Sequence, residues 1–203
     1  MKKNKLIIWL TIFVFLFSMP SAAASKKKEE AAVRKTVTSF LKNTKKYNNK
    51  KIISTLLPAD KRNELHIYNT NSQIAKSIRK IHKSSFLYKI DKIKVSGKTA
   101  KAVVYVTYYD GKQTFINAFI KAVNYIAAND LKYSDNLFMD KFYKFSLEDY
   151  KKNDGIYTKT VKSTIPLKKY KGKWKISKVT KQMTAYINCN YVAGQKNIEK
   201  IYG

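Results

Sequence analysis

Strict alternation in "TAKAVVYVTYYDG" constrains this chain more than any other feature, because Ala100, Ala102, Val104, Val106 and Tyr108 fall on every second position. Successive side chains of a strand point to opposite faces, so the run reads as a strand with one buried face. Upstream, "SSFLYKIDKIKV" and the turn Ser96-Gly97-Lys98 make it the second arm of a hairpin. A second hairpin spans Tyr157 to Val179, with Tyr157, Val161, Ile165 and Leu167 on one face and "KYKGK" as its turn. Trp174 and Ile176 alternate there with Lys173 and Lys175. The aromatic ring and these two lysines therefore point to opposite faces, and the lysines read as a solvated face.

Elsewhere the apolar period is helical. Val33, Val37, Phe40 and Leu41 form the stripe of an opening amphipathic helix, with Glu29 and Glu30 suited to its N-terminal dipole. After Asn48 and Asn49, "KKIISTLLP" reads as a short second helix closed by Pro58, and Ile67, Ile74, Ile78 and Ile81 trace a third. Between the hairpins, Phe115, Phe119, Ala122 and Ile126 and then Leu137, Phe138, Phe142 and Phe145 predict two helices joined by "NDLKYSDN". Asp110-Gly111 leaves a hairpin through "KQTFINAF" as the alternative. Met183, Tyr186, Ile187 and Tyr191 predict a terminal helix with Gly194 near its end. The expected class is α+β: an antiparallel sheet of about four strands on N-terminal helices, a helical insertion between two hairpins, and a C-terminal helix.

The N-terminus carries an address. "KKNK" precedes an apolar run from Leu6 to Phe17, Pro20 follows, and Ala22-Ala23-Ala24 supplies small residues for a peptidase. The run is shorter than the ~20 residues a spanning helix needs, so it reads as a signal peptide, residues 1–24, cleaved between Ala24 and Ser25. An uncleaved anchor, with Lys26 to Lys28 at the membrane surface, is the alternative. Residues 25–203 then form one domain, secreted or associated with the cell envelope. Cleavage removes Lys2, Lys3 and Lys5 and lowers the formal charge from +29 to +26, a field that attracts polyanions. Only Arg34, Arg62 and Arg79 are arginines. Dedicated readers of phosphates and bases lean on arginine's planar fork, so nucleic acid is an unlikely partner on composition. Cys189 is the sole cysteine, which rules out an intrachain disulfide and reads as a small buried hydrophobe, with an intermolecular disulfide as the alternative.

Helices, hairpin, helical insertion and closing hairpin in this order resemble the nuclear transport factor 2-like superfamily of cystatin-like folds. The nearer likeness is to exported, often lipid-anchored, Gram-positive domains of unassigned function. It is carried by "VRKTVTSFLKNTKKYNNKKIISTL", "YKIDKIKVSGKTAKAVVYVTY" and "KSTIPLKKYKGKWKISK", spanning about residues 30–180. The resemblance implies a curved sheet forming a cone whose interior, in the family's enzymes, holds a desolvated Asp or an Asp/His pair as general base. The chain departs from the lipoproteins in lacking a lipobox cysteine and in its longer tail after Val179.

Candidate chemistry is sparse. His66 and His82, the only histidines, read as surface or helix-end residues, and Asp91, the one carboxylate inside an expected strand, as a surface ion-pair partner of Lys89 or Lys92. Two histidines and one cysteine give no zinc spacing. "DYKKNDG", Asp149 to Gly155, places Tyr150 and Lys152 where a calcium loop needs its first two ligands, so it reads as a turn. There is no phosphate-binding glycine loop and no nucleophile elbow. No catalytic, cofactor-binding or metal-ligating residues are nominated. The expected function is a basic, non-enzymatic module held by distributed lysines at anionic cell-wall polymers or membrane, with an exported protein as a further partner. The alternatives are a small-molecule or enzymatic cone and nonspecific binding of extracellular DNA.

Overall fold

A computed structural model of the protein describes residues 22–58, 68, 69 and 71–202. The signal-peptide reading up to Ser21, Arg62, His66 and Ile67 lie outside the described residues. The elements are α1 (Ala22–Lys45), α2 (Asn49–Ser54), α3 (Gln73–Ser85), β1 (Leu87–Ser96), β2 (Thr99–Tyr109), α4 (Lys112–Ala128), α5 (Asp135–Tyr157), β3 (Thr158–Tyr170), β4 (Lys173–Ile176), α6 (Lys181–Ile187) and α7 (Tyr191–Tyr202). The four strands form one antiparallel sheet in the order β1-β2-β3-β4, curved and unclosed. The fold is α+β as the sequence predicts, with both hairpins and the helical pair between them in place.

The inner face of the sheet is the one that alternation selects. Ala100, Ala102, Val104, Val106 and Tyr108 of β2 are buried there with Ile165 and Leu167 of β3 and Trp174 and Ile176 of β4. Val33, Val37, Phe40 and Leu41 of α1, all fully buried, cover that face together with Ile78 and Ile81 of α3. In β1 a bulge between Ile90 and Lys92 absorbs one residue, so Tyr88 and Ile90 share a face with Ile93 and Val95 although their parity differs. The β3–β4 turn is the two-residue pair Lys171 and Gly172, with φ of 45° and 75°. Positive φ at both positions matches the twist of the flanking strands, and glycine makes its share of that conformation easy.

Five local expectations are corrected or qualified. "KKIISTLLP" is helical only to Ser54; Leu56 then pairs in parallel with Ile176, and the Leu57 N–H donates to the Ile176 carbonyl at 3.0 Å. Glu29 lies two turns inside α1 of the uncleaved chain, so it meets the helix dipole only once cleavage after Ala24 brings it to within about one turn of the N-terminus. Its carboxylate accepts from Trp174 Nε1 at 2.7 Å and from Lys169 Nζ at 2.5 Å, tying α1 to the closing hairpin. "DYKKNDG" is the end of α5, not a turn, because Phe142, Ser146, Asp149 and Tyr150 form a buried helical stripe that runs into it. The terminal helix is two helices, broken where Cys189 and Asn190 adopt φ of 49° and 54°.

Gly194, fifth, sits in the first turn of α7 instead of near its end. A Cβ there would lie 2.7 Å from the Lys112 carbonyl oxygen and 2.7 Å from Phe115 Cβ, so glycine sets the close approach of α7 to α4. Gly194→Val is expected to cost about 1–3 kcal/mol, the usual penalty of overpacking. Gly155, in α5, has nothing within 4 Å of its would-be Cβ. Gly155→Ala is expected to stabilise by up to about 1 kcal/mol through helix propensity. Urea denaturation of the two variants checks the opposite signs.

Candidate functional site

The inner face of the curved sheet, where the resemblance places chemistry, is covered by the chain's own side chains. Tyr186 of α6 is fully buried against the inner face, its ring edge-on to Phe40, Phe86 and Tyr108 at 6.5, 6.2 and 6.2 Å between centroids. The polar groups nearest this packing are the Tyr186 hydroxyl and Ser163 Oγ, both buried and neither in a hydrogen bond of normal geometry. Burial pushes the Tyr186 phenol far above its ordinary range, so it stays protonated.

His82 lies in the last turn of α3, a helix end as expected, but it is fully buried and not at the surface. Its Nε2 is 2.9 Å from the Ile187 carbonyl, an acceptor, so Nε2 carries the proton and Nδ1 faces Cys189 Sγ at 3.5 Å. Burial lowers its pKa from 6.5 to about 4 and raises the Cys189 thiol well above its ordinary value, with Asp110 adding to the latter. A neutral imidazole beside a protonated thiol is a packing arrangement, not a nucleophile and base. Cys189, buried as the sequence predicts, has no exposed surface through which a second chain could reach it for a disulfide.

Asp91 is exposed at the bulge, and the ion pair with Lys89 or Lys92 is not among those formed by the described residues. The buried carboxylate is one that sequence reading passed over. Asp149 of α5 accepts from Thr114 Oγ1 at 2.5 Å and Asn117 Nδ2 at 3.0 Å, and Thr114 lies 2.6 Å from the Tyr109 hydroxyl. This satisfied network joins α5 to α4 and β2. Asp110 likewise pairs with Lys159 and accepts from Asn190 Nδ2 at 2.6 Å, fixing the β2–α4 corner to the break between α6 and α7. Among the described residues there is no group of three His, Cys, Asp or Glu side chains that could hold a metal ion, and no helix long and apolar enough to cross a membrane.

Open surface lies elsewhere. A groove of about 700 Å³ between α6 and α7 has Lys178, Lys181 and Lys196 on its walls, and in a cleft of about 410 Å³ Phe115, Phe119, Phe138 and Phe142 of α4 and α5 face Ile74 of α3 and Ile198 of α7. Among the described residues no helix or strand covers the outer face of the sheet. Lys89, Lys92, Lys94, Lys101, Lys162, Lys168 and Lys173 are exposed on it beside Tyr105 and Tyr170, while Lys175 is half-buried at its edge. Asp91 is the only carboxylate in the four strands.

Fold and surfaces define an α+β protein whose curved sheet is filled on one face and open and basic on the other. No family model matches the chain, and neither a curated protein nor a solved structure does.

Proposed function

We propose that the protein is an exported, non-enzymatic binding module of the nuclear transport factor 2-like type, held at the anionic cell envelope by many lysines. The supporting observation is the imbalance of surface charge. Against a formal charge of +29, or +26 after cleavage, the ion pairs between described residues are Lys144–Glu148, Lys159–Asp110 and Lys169–Glu29. The exposed lysines outside these pairs, those of the sheet face among them, are available to teichoic acids, phospholipid headgroups or acidic proteins. A small molecule bound in the cone would have to displace Tyr186, and nucleic acid would be held by charge alone, without base readout.

Cleavage after Ala24 removes only the first three residues of α1 and leaves the contact of Glu29 with Trp174 intact. N-terminal sequencing of the wall fraction is expected to start near Ser25; Met1 retained in membrane pellets would refute export by cleavage. Retention of the mature protein on isolated walls is expected to vanish between about 0.1 and 1 M salt, as the Debye length falls from about 10 to about 3 Å. Binding that survives high salt would replace distributed charge with a specific site.

A further inference from the structure

The lysines of the outer sheet face are placed in a way that costs the free protein stability. Lys94 of β1 lies directly opposite Lys101 of β2, and Lys168 of β3 opposite Lys175 of β4. Like charges facing one another across a strand pair are destabilising. The Lys175 ammonium is drawn to the Ser54 carbonyl at the end of α2, but no ion pair among the described residues involves Lys94, Lys101 or Lys168. A third line crosses three strands: Lys89 faces Tyr105, and Tyr105 faces Lys162, whose Nζ sits 5.6 Å from the tyrosine ring centroid. Neighbouring strands are about 4.8 Å apart and alternate residues about 6.8 Å apart, so Lys94, Lys101 and Lys168 follow one another in steps shorter than the Debye length, and exposed Lys92, opposite Val103, bridges the roughly 14 Å to the Lys89–Lys162 line.

We propose that this face is the docking surface for a flexible linear polymer of phosphate groups, laid across the strands over Lys89, Lys94, Lys101, Lys162 and Lys168. The inference rests on the envelope-binding reading and names its ligand and surface. Charge complementarity selects a polyanion, since Asp91 is the only acidic side chain in the strands. Ammonium groups without arginine forks bind phosphate as point charges, suiting a repeating chain that needs no base readout. Curvature selects a flexible chain over a bilayer: a flexible polymer can follow lysines on successive strands of a curved sheet, whereas a plane meets such a face over only part of its area. The exposed apolar residues there do not gather into one insertion patch: Leu87 at the end of β1 neighbours Tyr105 diagonally, but Tyr170 stands at the opposite end of the sheet.

The test compares three forms of the mature protein: wild type, a sheet variant with Lys89, Lys94, Lys101, Lys162 and Lys168 changed to Gln, and a helix variant with Lys42, Lys76, Lys80, Lys121 and Lys152 changed to Gln. Both variants lose equal charge. Affinity for linear inorganic polyphosphate is measured between about 50 and 200 mM salt, beside flotation with phosphatidylglycerol vesicles. The sheet variant is expected to lose at least about tenfold in polyphosphate affinity, with the log–log salt slope flattened by about 0.7 per lysine engaged, while the helix variant stays within about twofold. Lysine acetylation of the wild type supplies a readout independent of variant folding, and polyphosphate is expected to protect the sheet lysines selectively. Equal losses in both variants, or uniform protection, would overturn the docking face and leave envelope retention standing. Loss of vesicle binding with unchanged polyphosphate affinity would also overturn it, making the face a membrane surface. A wild type that binds walls but not polyphosphate refutes the phosphate ligand; one that binds neither refutes the envelope reading itself.

Discussion

Trp174→Ala is expected to lower the unfolding free energy by about 3–5 kcal/mol, the range for deleting a large core aromatic. The indole is 5% exposed on the inner face of β4, and its Nε1–H donates to the Glu29 carboxylate, which also holds Lys169. Those two hydrogen bonds keep the Glu29 carboxyl below its ordinary pKa, so the acceptor is an anion at neutral pH. Truncation thus removes both ring packing and one strand of the tie between α1 and the closing hairpin. Trp174→Phe keeps most of the apolar contact and is expected to cost about 1 kcal/mol, the net value of a typical hydrogen bond. Lys173→Ala, on the wet face of the same strand, is expected to change stability by less than about 0.5 kcal/mol. Lys175→Ala should fall between them, because that ammonium caps the Ser54 carbonyl. Urea denaturation followed by far-UV circular dichroism gives the comparison; similar midpoints for Trp174→Ala and Lys173→Ala would refute the face assignment.

Face assignment was legible because alternation needs only the two-residue period of a strand, and the turn residues fixed where each period began. The helices were legible where their stripes were apolar, as in Val33 to Leu41. Their ends were not, wherever burial falls on polar residues. Ser146 and Asp149 continue the buried stripe of α5, but their partners Tyr191 and Thr114 come from α7 and α4, and nothing local to "DYKKNDG" reveals them. His82 stands at a helix end, one of the two placements the sequence suggests, but its burial is illegible for the same reason, since its acceptor at Ile187 is 105 residues away. The solvated lysine face is legible but its cross-strand arrangement is not, because strand-by-strand alternation separates Trp174 from Lys173 and Lys175 but says nothing about register. Only the pairing of β1 with β2 and of β2 with β3 brings Lys94 opposite Lys101 and Tyr105 between Lys89 and Lys162.

Acidification is expected to destabilise the protein through His82, in a window set by its two pKa values. The folded value is about 4, depressed from 6.5 chiefly because the imidazole is fully buried, with Lys45 opposing a second positive charge nearby. Above the ordinary value the ring is neutral in both folded and unfolded chains, and its titration contributes nothing to the pH slope. As pH falls below it, the unfolded chain takes up a proton that the folded one refuses, so stability drops until the folded ring also titrates. The difference of two to three pKa units corresponds to about 3 kcal/mol lost between about pH 6.5 and pH 4. Protonation would turn Nδ1 from an acceptor into a donor facing the Cys189 thiol, leaving a buried cation without a carboxylate among its hydrogen-bond partners. His82→Gln removes the titration. It is expected to be less stable than wild type at neutral pH, having lost the edge-on packing of the ring on Phe86 at 4.9 Å, but to lose less on acidification. Glu29 pulls in the same direction but at lower pH, because its contribution disappears only as pH falls through its depressed folded pKa. Unfolding free energies of wild type and His82→Gln measured from about pH 7 to about pH 4.5 should therefore converge as the pH falls. Parallel curves across that range would mean that His82 is protonated without penalty and that the buried placement of the ring is wrong.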